Sequence, residues 1–339
     1  MTLDNLRIVL AGRPTGLPTP EHFRLETVPL PALRDGQVLV RHRWLSLDPY
    51  MRGRMSEAKS YAAPQPLGEV MIGGTAGEVV ESRHPRFSPG DPVVGMGGWQ
   101  QFSVVDAGQP GQLRKVDVSR VPLSSYLGAV GMPGITAWVG LNRIIEPRNG
   151  ETVLVSAASG AVGSVVGQLA KARGCRAVGI AGGPQKCAWV TGELGFDACV
   201  DHREHRDLAS LSRALKAACP DGIDGVFENV GGLLLDAAML RMNAFGRIAM
   251  CGMIAGYNGE PLPMAHPSLI LVSRLKVQGF IVSEHMELWP AALQELADGV
   301  AAGRIRYRET VADGLERAPQ AFVDLLQGRN FGKQLVRLE

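Results

Sequence analysis

Two patterns of apolar and polar positions divide the chain. Up to about residue 125, short β-prone runs at 37–40, 77–80, 92–94 and 101–105 are separated by turn clusters such as Ser88-Pro89-Gly90-Asp91, which predicts a compact antiparallel β domain. After about Leu127 the pattern changes to strands at 153–156, 177–180, 198–201, 225–228 and 247–250 with helical segments between them. That alternation predicts a doubly wound parallel sheet, an α/β fold, with a sixth strand at 275–282 closing the series. A helix over 286–302, the segment 304–308 and a last helix near 318–327 form a tail too long to be a frayed end.

The turn after the first of these parallel strands carries the most specific chemistry. Thr152-Val153-Leu154-Val155 runs into Ser156-Ala157-Ala158-Ser159-Gly160-Ala161-Val162-Gly163, and an apolar helical stretch at 165–170 follows. A dinucleotide pyrophosphate reaches a helix N-terminus only where the preceding turn leaves its backbone N–H groups bare, which Gly160, Ala161, Val162 and Gly163 permit. Ala157 stands where the commoner fingerprint has its first glycine. The second strand runs into Ala181-Gly182-Gly183-Pro184-Gln185-Lys186, without the acid that would bind a ribose 2′-hydroxyl. A neutral glycine turn with Lys186 behind it suits a 2′-phosphate, hence NADPH/NADP+.

Ligands in such sheets bind beyond the carboxyl ends of the strands. The loops there begin at Asn229, at Cys251-Gly252, and at Phe280-Ile281-Val282, and these residues are expected at the cofactor.

Composition narrows the class. The chain has 339 residues, more than one ordinary core holds, and 45% apolar positions, as a globular protein has. Net charge is +2 with no basic run to track a phosphate backbone, so nucleic acid is not an expected partner. No apolar stretch approaches the roughly 20 residues that span a bilayer, and Asp4 and Arg7 interrupt any signal-peptide core, so the expectation is a cytoplasmic protein without a membrane partner. Five widely spaced cysteines form no C-x-x-C pair and read as reduced thiols. His202 and His205 have a spacing that could hold a metal, yet no thiolate or carboxylate motif accompanies them, and they read as loop residues.

Five motifs then carry a resemblance: Leu47-Asp48-Pro49-Tyr50-Met51-Arg52-Gly53-Arg54-Met55, Gly73-Gly74-Thr75-Ala76-Gly77, Met132-Pro133-Gly134-Ile135-Thr136-Ala137, Ala158-Ser159-Gly160-Ala161-Val162-Gly163 and Asn330-Phe331-Gly332-Lys333. The chain resembles the zinc-free medium-chain dehydrogenase/reductases, most of all the prostaglandin/leukotriene reductases, plant double-bond reductases and bacterial curcumin reductase. The resemblance implies a GroES-like β domain at 1–126, completed by 303–339, a Rossmann NADP-binding domain at 127–302, and an active site in the cleft between them. It also implies a homodimer, joined through edge strands of the nucleotide-domain sheets.

The implied activity is NADPH-dependent reduction of the carbon–carbon double bond of an enone or enal. By the same resemblance Lys186 sits at the 2′-phosphate, Asn229 and Tyr257 near ribose and nicotinamide, and Asn330 at the nicotinamide end. His202 replaces a tyrosine common in the family, on the adenine side, and Trp138 replaces another tyrosine.

The residues suit that chemistry. The first domain has no cysteine, so the cysteine, Gly-His-Glu and later cysteine of zinc alcohol dehydrogenases are missing. Enone reduction needs less: hydride adds at the β carbon, and hydrogen bonds stabilise the enolate oxygen. Tyr257 and Tyr50 are the catalytic candidates. Asp48 as a cap and Pro49 in the first turn would present Tyr50 from a short helix. Tyr61, Trp99 and Phe280 are expected to line the substrate pocket, while Arg52 and Arg54 read as surface or packing residues. Two alternatives stay open, a quinone oxidoreductase of the same superfamily and a non-catalytic NADPH-binding sensor.

Overall fold

A computed structural model describes residues 4–109 and 111–338, which fall into two compact units, one of residues 1–127 with 309–339 and the other of residues 128–308. In the first unit the strand Gln37–Ser46 buries Val38, Val40, His42 and Leu45 and turns intervening residues outward, as a half-covered antiparallel strand should. It pairs antiparallel with Thr75–Ser82, Phe102–Asp106 and Lys333–Arg337, and the sheet extends through Pro92–Gly95 to Leu113–Lys115. At the other edge Glu309–Asp313 runs parallel to Lys333–Arg337. The sheet is therefore mixed, not purely antiparallel. The helix Ala318–Leu326 between those two strands supplies the crossover that a parallel pair requires. A separate two-stranded ribbon, Asp4–Leu10 with Phe23–Pro29, escaped the sequence reading because no tight turn signal joins its strands.

The second unit is a six-stranded, wholly parallel sheet. Its spatial order is Ala198–Asp201, Arg176–Ala181, Thr152–Val155, Ile223–Glu228, Met242–Met250 and Lys276–Gly279. The first three strands grow one way and the last three the other, so the order reverses between Thr152–Val155 and Ile223–Glu228. Thr152–Val155 is buried throughout because helices cover both faces, which is why such strands read as unbroken apolar runs. The helix Gly163–Ala172 buries Val165, Val166, Leu169 and Ala170 against that sheet, and Gly167 leaves room for the Phe196 ring.

Two expected boundaries move. The sixth strand ends at Gly279 instead of residue 282, since the Phe280 ring turns into the core against Phe227 and Val282–Glu284 forms a 3-10 turn. Residues 303–308, expected with the tail, pack in the nucleotide unit: Ile305 fills the space over Gly299, and Gln168 clamps the Arg306 backbone through two hydrogen bonds of 2.8 Å.

Candidate active site

At the reversal point a buried polar network holds the loop ends. Ser156, directly after Thr152–Val155, donates its hydroxyl to Glu228 Oε1 at 2.8 Å and accepts the Asn229 backbone N–H at 2.8 Å. The Asn229 side chain donates to the Ser156 carbonyl at 2.8 Å. Glu228 also accepts the N–H groups of Val230 and Gly231 at 2.6 and 2.8 Å, and burial nonetheless pushes its carboxyl up. Neither Ser156 nor Glu228 stood out in sequence as a site residue. They lie 72 positions apart and meet only because their strands are neighbours.

The glycine turn has the expected form. Ala157 takes φ 48, the left-handed conformation that glycine adopts freely, in the place of the missing first glycine. Gly160 closes the turn by donating to the Ala157 carbonyl at 2.9 Å. A Cβ at Gly163 would collide with that same carbonyl. The helix then starts at Gly163 with Val162 before it, and no side chain caps its end. Such an N-terminus fits a pyrophosphate.

At the next strand ends, parallel pairing brings the end of Ala198–Asp201 beside the end of Arg176–Ala181. Gly182 faces both new neighbours: a Cβ there would lie 2.9 Å from His202 Nε2 and 3.1 Å from Arg203 Nε. Asp201 fixes the arrangement by accepting the N–H of Gly183 at 2.8 Å and of Arg203 at 3.0 Å. Lys186 completes a basic group, and burial together with the Arg203 charge lowers its ammonium pKa. Arg203 is a site candidate that the sequence reading missed. Its only signal was its place directly after His202 at a strand end.

The loop after Met242–Met250 is stapled to the Asn229 loop by Cys251 and Gly252 N–H groups on the Glu228 carbonyl and by Ile254 N–H on the Asn229 carbonyl. Tyr257 folds back over it, its hydroxyl accepting a long 3.4 Å bond from the Met253 N–H. A Cβ at Gly252 would stand 3.1 Å from the Tyr257 hydroxyl and 3.3 Å from the Asn229 carbonyl oxygen, so the structure does bring Asn229, Gly252 and Tyr257 together. Burial pushes the Cys251 thiol up to about 12, so it stays protonated. The Phe280 side chain does not line an open pocket. It is a core ring 6.2 Å from Phe227 and packs over Gly140. The Ile281 backbone continues from it, and the Val282 carbonyl accepts the Trp289 indole N–H at 3.2 Å.

In the β unit, Tyr50 opens the short helix Tyr50–Arg54 as expected, but Asp48 is not its cap. Both Asp48 carboxylate oxygens are taken: one by the Lys333 ammonium at 2.9 Å, the other by the Ser46 hydroxyl. Burial and the Asp48 charge push the Tyr50 hydroxyl far above its ordinary value, so it remains a proton-bearing donor. Arg54 lies 6.0 Å from the Tyr50 ring centre and 4.9 Å from that of the exposed Tyr61, which groups the two tyrosines. Of the two roles expected for Arg52, surface or packing, it takes the packing one: it is buried and donates to the carbonyls of Pro14 and Gly16. Trp99, expected in the substrate pocket, is fully buried, stacked on Phe23 at 5.1 Å and set edge-on to Phe322. Asn330 donates to the Gly332 carbonyl at 2.8 Å.

A β unit of this topology joined to a six-stranded nucleotide-binding sheet defines a medium-chain dehydrogenase/reductase. The chain matches the families described as N-terminal domain of oxidoreductase over residues 6–115 and zinc-binding dehydrogenase over residues 161–298. It is 46% identical to the NADPH-dependent curcumin reductase of Escherichia coli (strain K12), covering 98% of this chain and 97% of that one. Against the NADP(+)-dependent 2-alkenal reductase of Nicotiana tabacum the identity is 42%, covering 98% and 97%. The crystal structure of CurA in complex with NADPH from Vibrio vulnificus superposes with a TM-score of 0.91 at 44% identity, covering 98% and 99%. The chain belongs to this family, the medium-chain dehydrogenase/reductases, in the group of the curcumin, 2-alkenal and prostaglandin reductases. For the zinc named in one family description, the described residues assemble no group of three or more histidine, cysteine or acidic side chains that could hold a metal.

Proposed function

We propose that this protein uses NADPH to reduce the carbon–carbon double bond of α,β-unsaturated ketones and aldehydes, without a metal. The observation that carries the cofactor choice is the pair His202 and Arg203 beside the side-chain-free Gly182, with the Lys186 ammonium close enough to feel the Arg203 charge. Two cations held this close repel, and a phosphate dianion would relieve that repulsion. NADPH, as bound in the CurA crystal structure from Vibrio vulnificus, would supply the hydride. The chain's own residues do the rest. The Gly160 to Gly163 turn takes the pyrophosphate, and Asn229 and Tyr257 orient the ribose and nicotinamide, with Cys251, Gly252, Ile281 and Val282 contributing backbone. Asn330 belongs to the nicotinamide end.

The hydride goes to the β carbon, and charge then develops on the enolate oxygen. Tyr257 stabilises it by a hydrogen bond. Tyr50, kept protonated by its surroundings, or a water donates to the α carbon, with Tyr61 beside it as a substrate contact. The test follows NADPH absorbance with a straight-chain enone, a quinone and a saturated ketone. The enone is consumed fast and the ketone is not. Quinone turnover alone would replace this reading with the quinone oxidoreductase, and binding without turnover would leave the sensor. Tyr257→Phe is expected to lower kcat by about 10- to 100-fold with the fold intact, in the range of a lost catalytic donor. Unchanged kinetics removes Tyr257 from the mechanism.

We also propose a cytoplasmic homodimer joined at the outer strand Lys276–Gly279. Exposed Leu271, Val272 and Phe245 accompany Val277 at that edge, an apolar display uncommon on a monomer. Light scattering should give twice the chain mass, and Val277→Lys should shift it towards the monomer.

A further inference from the structure

Two thiols lie beside Lys186 and shortly before His202 and Arg203 in the chain, and none of the chemistry above uses them. Cys187 sits in the first turn of the helix Pro184–Gly192, and Cys199 in the strand Ala198–Asp201. The Cys199 thiol donates to Cys187 Sγ at 3.1 Å, and both side chains are partly buried. A disulfide requires sulfurs about 2.05 Å apart, so an approach of about 1 Å separates the dithiol from the bond.

We infer that Cys187 and Cys199 form an oxidation site, a reversible disulfide that resets the basic loop receiving the cofactor phosphate. With a peroxide as the two-electron oxidant, one sulfur attacks a peroxide oxygen, the O–O bond breaks, and a sulfenic acid and one water result. The second sulfur attacks the sulfenic sulfur; the S–S bond forms, the S–O bond breaks and a second water leaves. Two thiols have then lost two protons and two electrons, and the peroxide has gained them. A small dithiol reverses the change.

The consequence follows from neighbours in sequence. Lys186 directly precedes Cys187, while His202 and Arg203 follow Cys199 after two residues. The strand is held by its ladder to Arg176–Ala181, and the first helical turn is held by Cys187 N–H on the Gly183 carbonyl at 3.2 Å. Closing the sulfur gap therefore shifts the segment that carries Lys186 relative to the one that carries His202 and Arg203, the three side chains proposed above to receive the phosphate. This consequence rests on the phosphate role given to that loop; the oxidation site itself does not.

Purified full-length protein is treated with hydrogen peroxide, its remaining thiols are alkylated, and the peptides are mapped by mass. A Cys187–Cys199 linked peptide is expected, and dithiothreitol should abolish it. In parallel, NADPH and NADH are titrated by fluorescence against reduced and oxidised protein. Oxidation should raise the NADPH Kd by about fivefold or more and leave NADH little changed, a coupling of ordinary size between two sites. Cys187→Ser and, independently, Cys199→Ser should lose both the link and the shift. Full alkylation of both thiols after peroxide overturns the oxidation site. A link without a change in NADPH Kd overturns its hold on the basic loop. If the reduced protein binds NADPH and NADH equally, the phosphate role itself fails, a result separate from the peptide map.

Discussion

Lys333→Met is expected to destabilise the β unit by about 3–5 kcal/mol, the usual cost of removing one partner of a buried ion pair. Lys333 is 3% exposed and Asp48 5%, and the ammonium also donates to the Leu47 carbonyl at 2.6 Å. Without Lys333 the Asp48 carboxylate keeps the Ser46 hydroxyl as its neighbour and no cation. Urea unfolding followed by circular dichroism reads the loss. The double variant Lys333→Met, Asp48→Leu should recover most of it, because apolar replacement of both partners removes the stranded charge. A single-variant loss below about 1 kcal/mol would mean that water reaches Asp48 and the pair is not an effective anchor. Tyr50 lies two residues beyond Asp48, so the variant should also lower kcat with enones more than its NADPH affinity changes.

The second large effect concerns the cofactor phosphate. Lys186→Ala should raise KM for NADPH by about 10- to 150-fold, the equivalent of one charge-assisted hydrogen bond of about 1.5–3 kcal/mol. KM for NADH should hardly move. Arg203→Ala should act in the same direction and less strongly, since Arg203 is exposed and salt screens it. The ratio of kcat/KM for the two cofactors measures both. Equal effects on NADPH and NADH would remove the residue from phosphate recognition.

The nucleotide sheet was legible because buried parallel strands carry continuous apolar residues and end in glycine turns. The strand Ala198–Asp201 occupies the span its pattern predicts. The β unit was less so. Its edge strand Glu309–Asp313 and the ribbon beginning at Asp4 show little alternation and depend on partners far along the chain. Site residues divide in the same way. Gly160, Gly163 and Lys186 announce themselves by local spacing. Trp99 and Phe280 did not reveal that they face inward, because a large aromatic ring serves a core or a pocket equally well in sequence. Asp48 looked like a helix cap because Ser46 and Lys333 were invisible as its partners.

By itself, then, the sequence determined the alternation of strands and helices, the bare turn at Gly160 to Gly163 and the acid-free glycine turn with Lys186 behind it at the end of the second strand, since each depends on neighbours within a few residues. Tertiary structure decided the rest. It joined Asp48 to Lys333 across 285 positions, set Glu228 under Ser156, and brought Arg203 to Gly182 and Cys199 to Cys187. Electrostatic and sulfur contacts act over a few ångströms of space, and only the pairing of strands turns distant sequence positions into that distance.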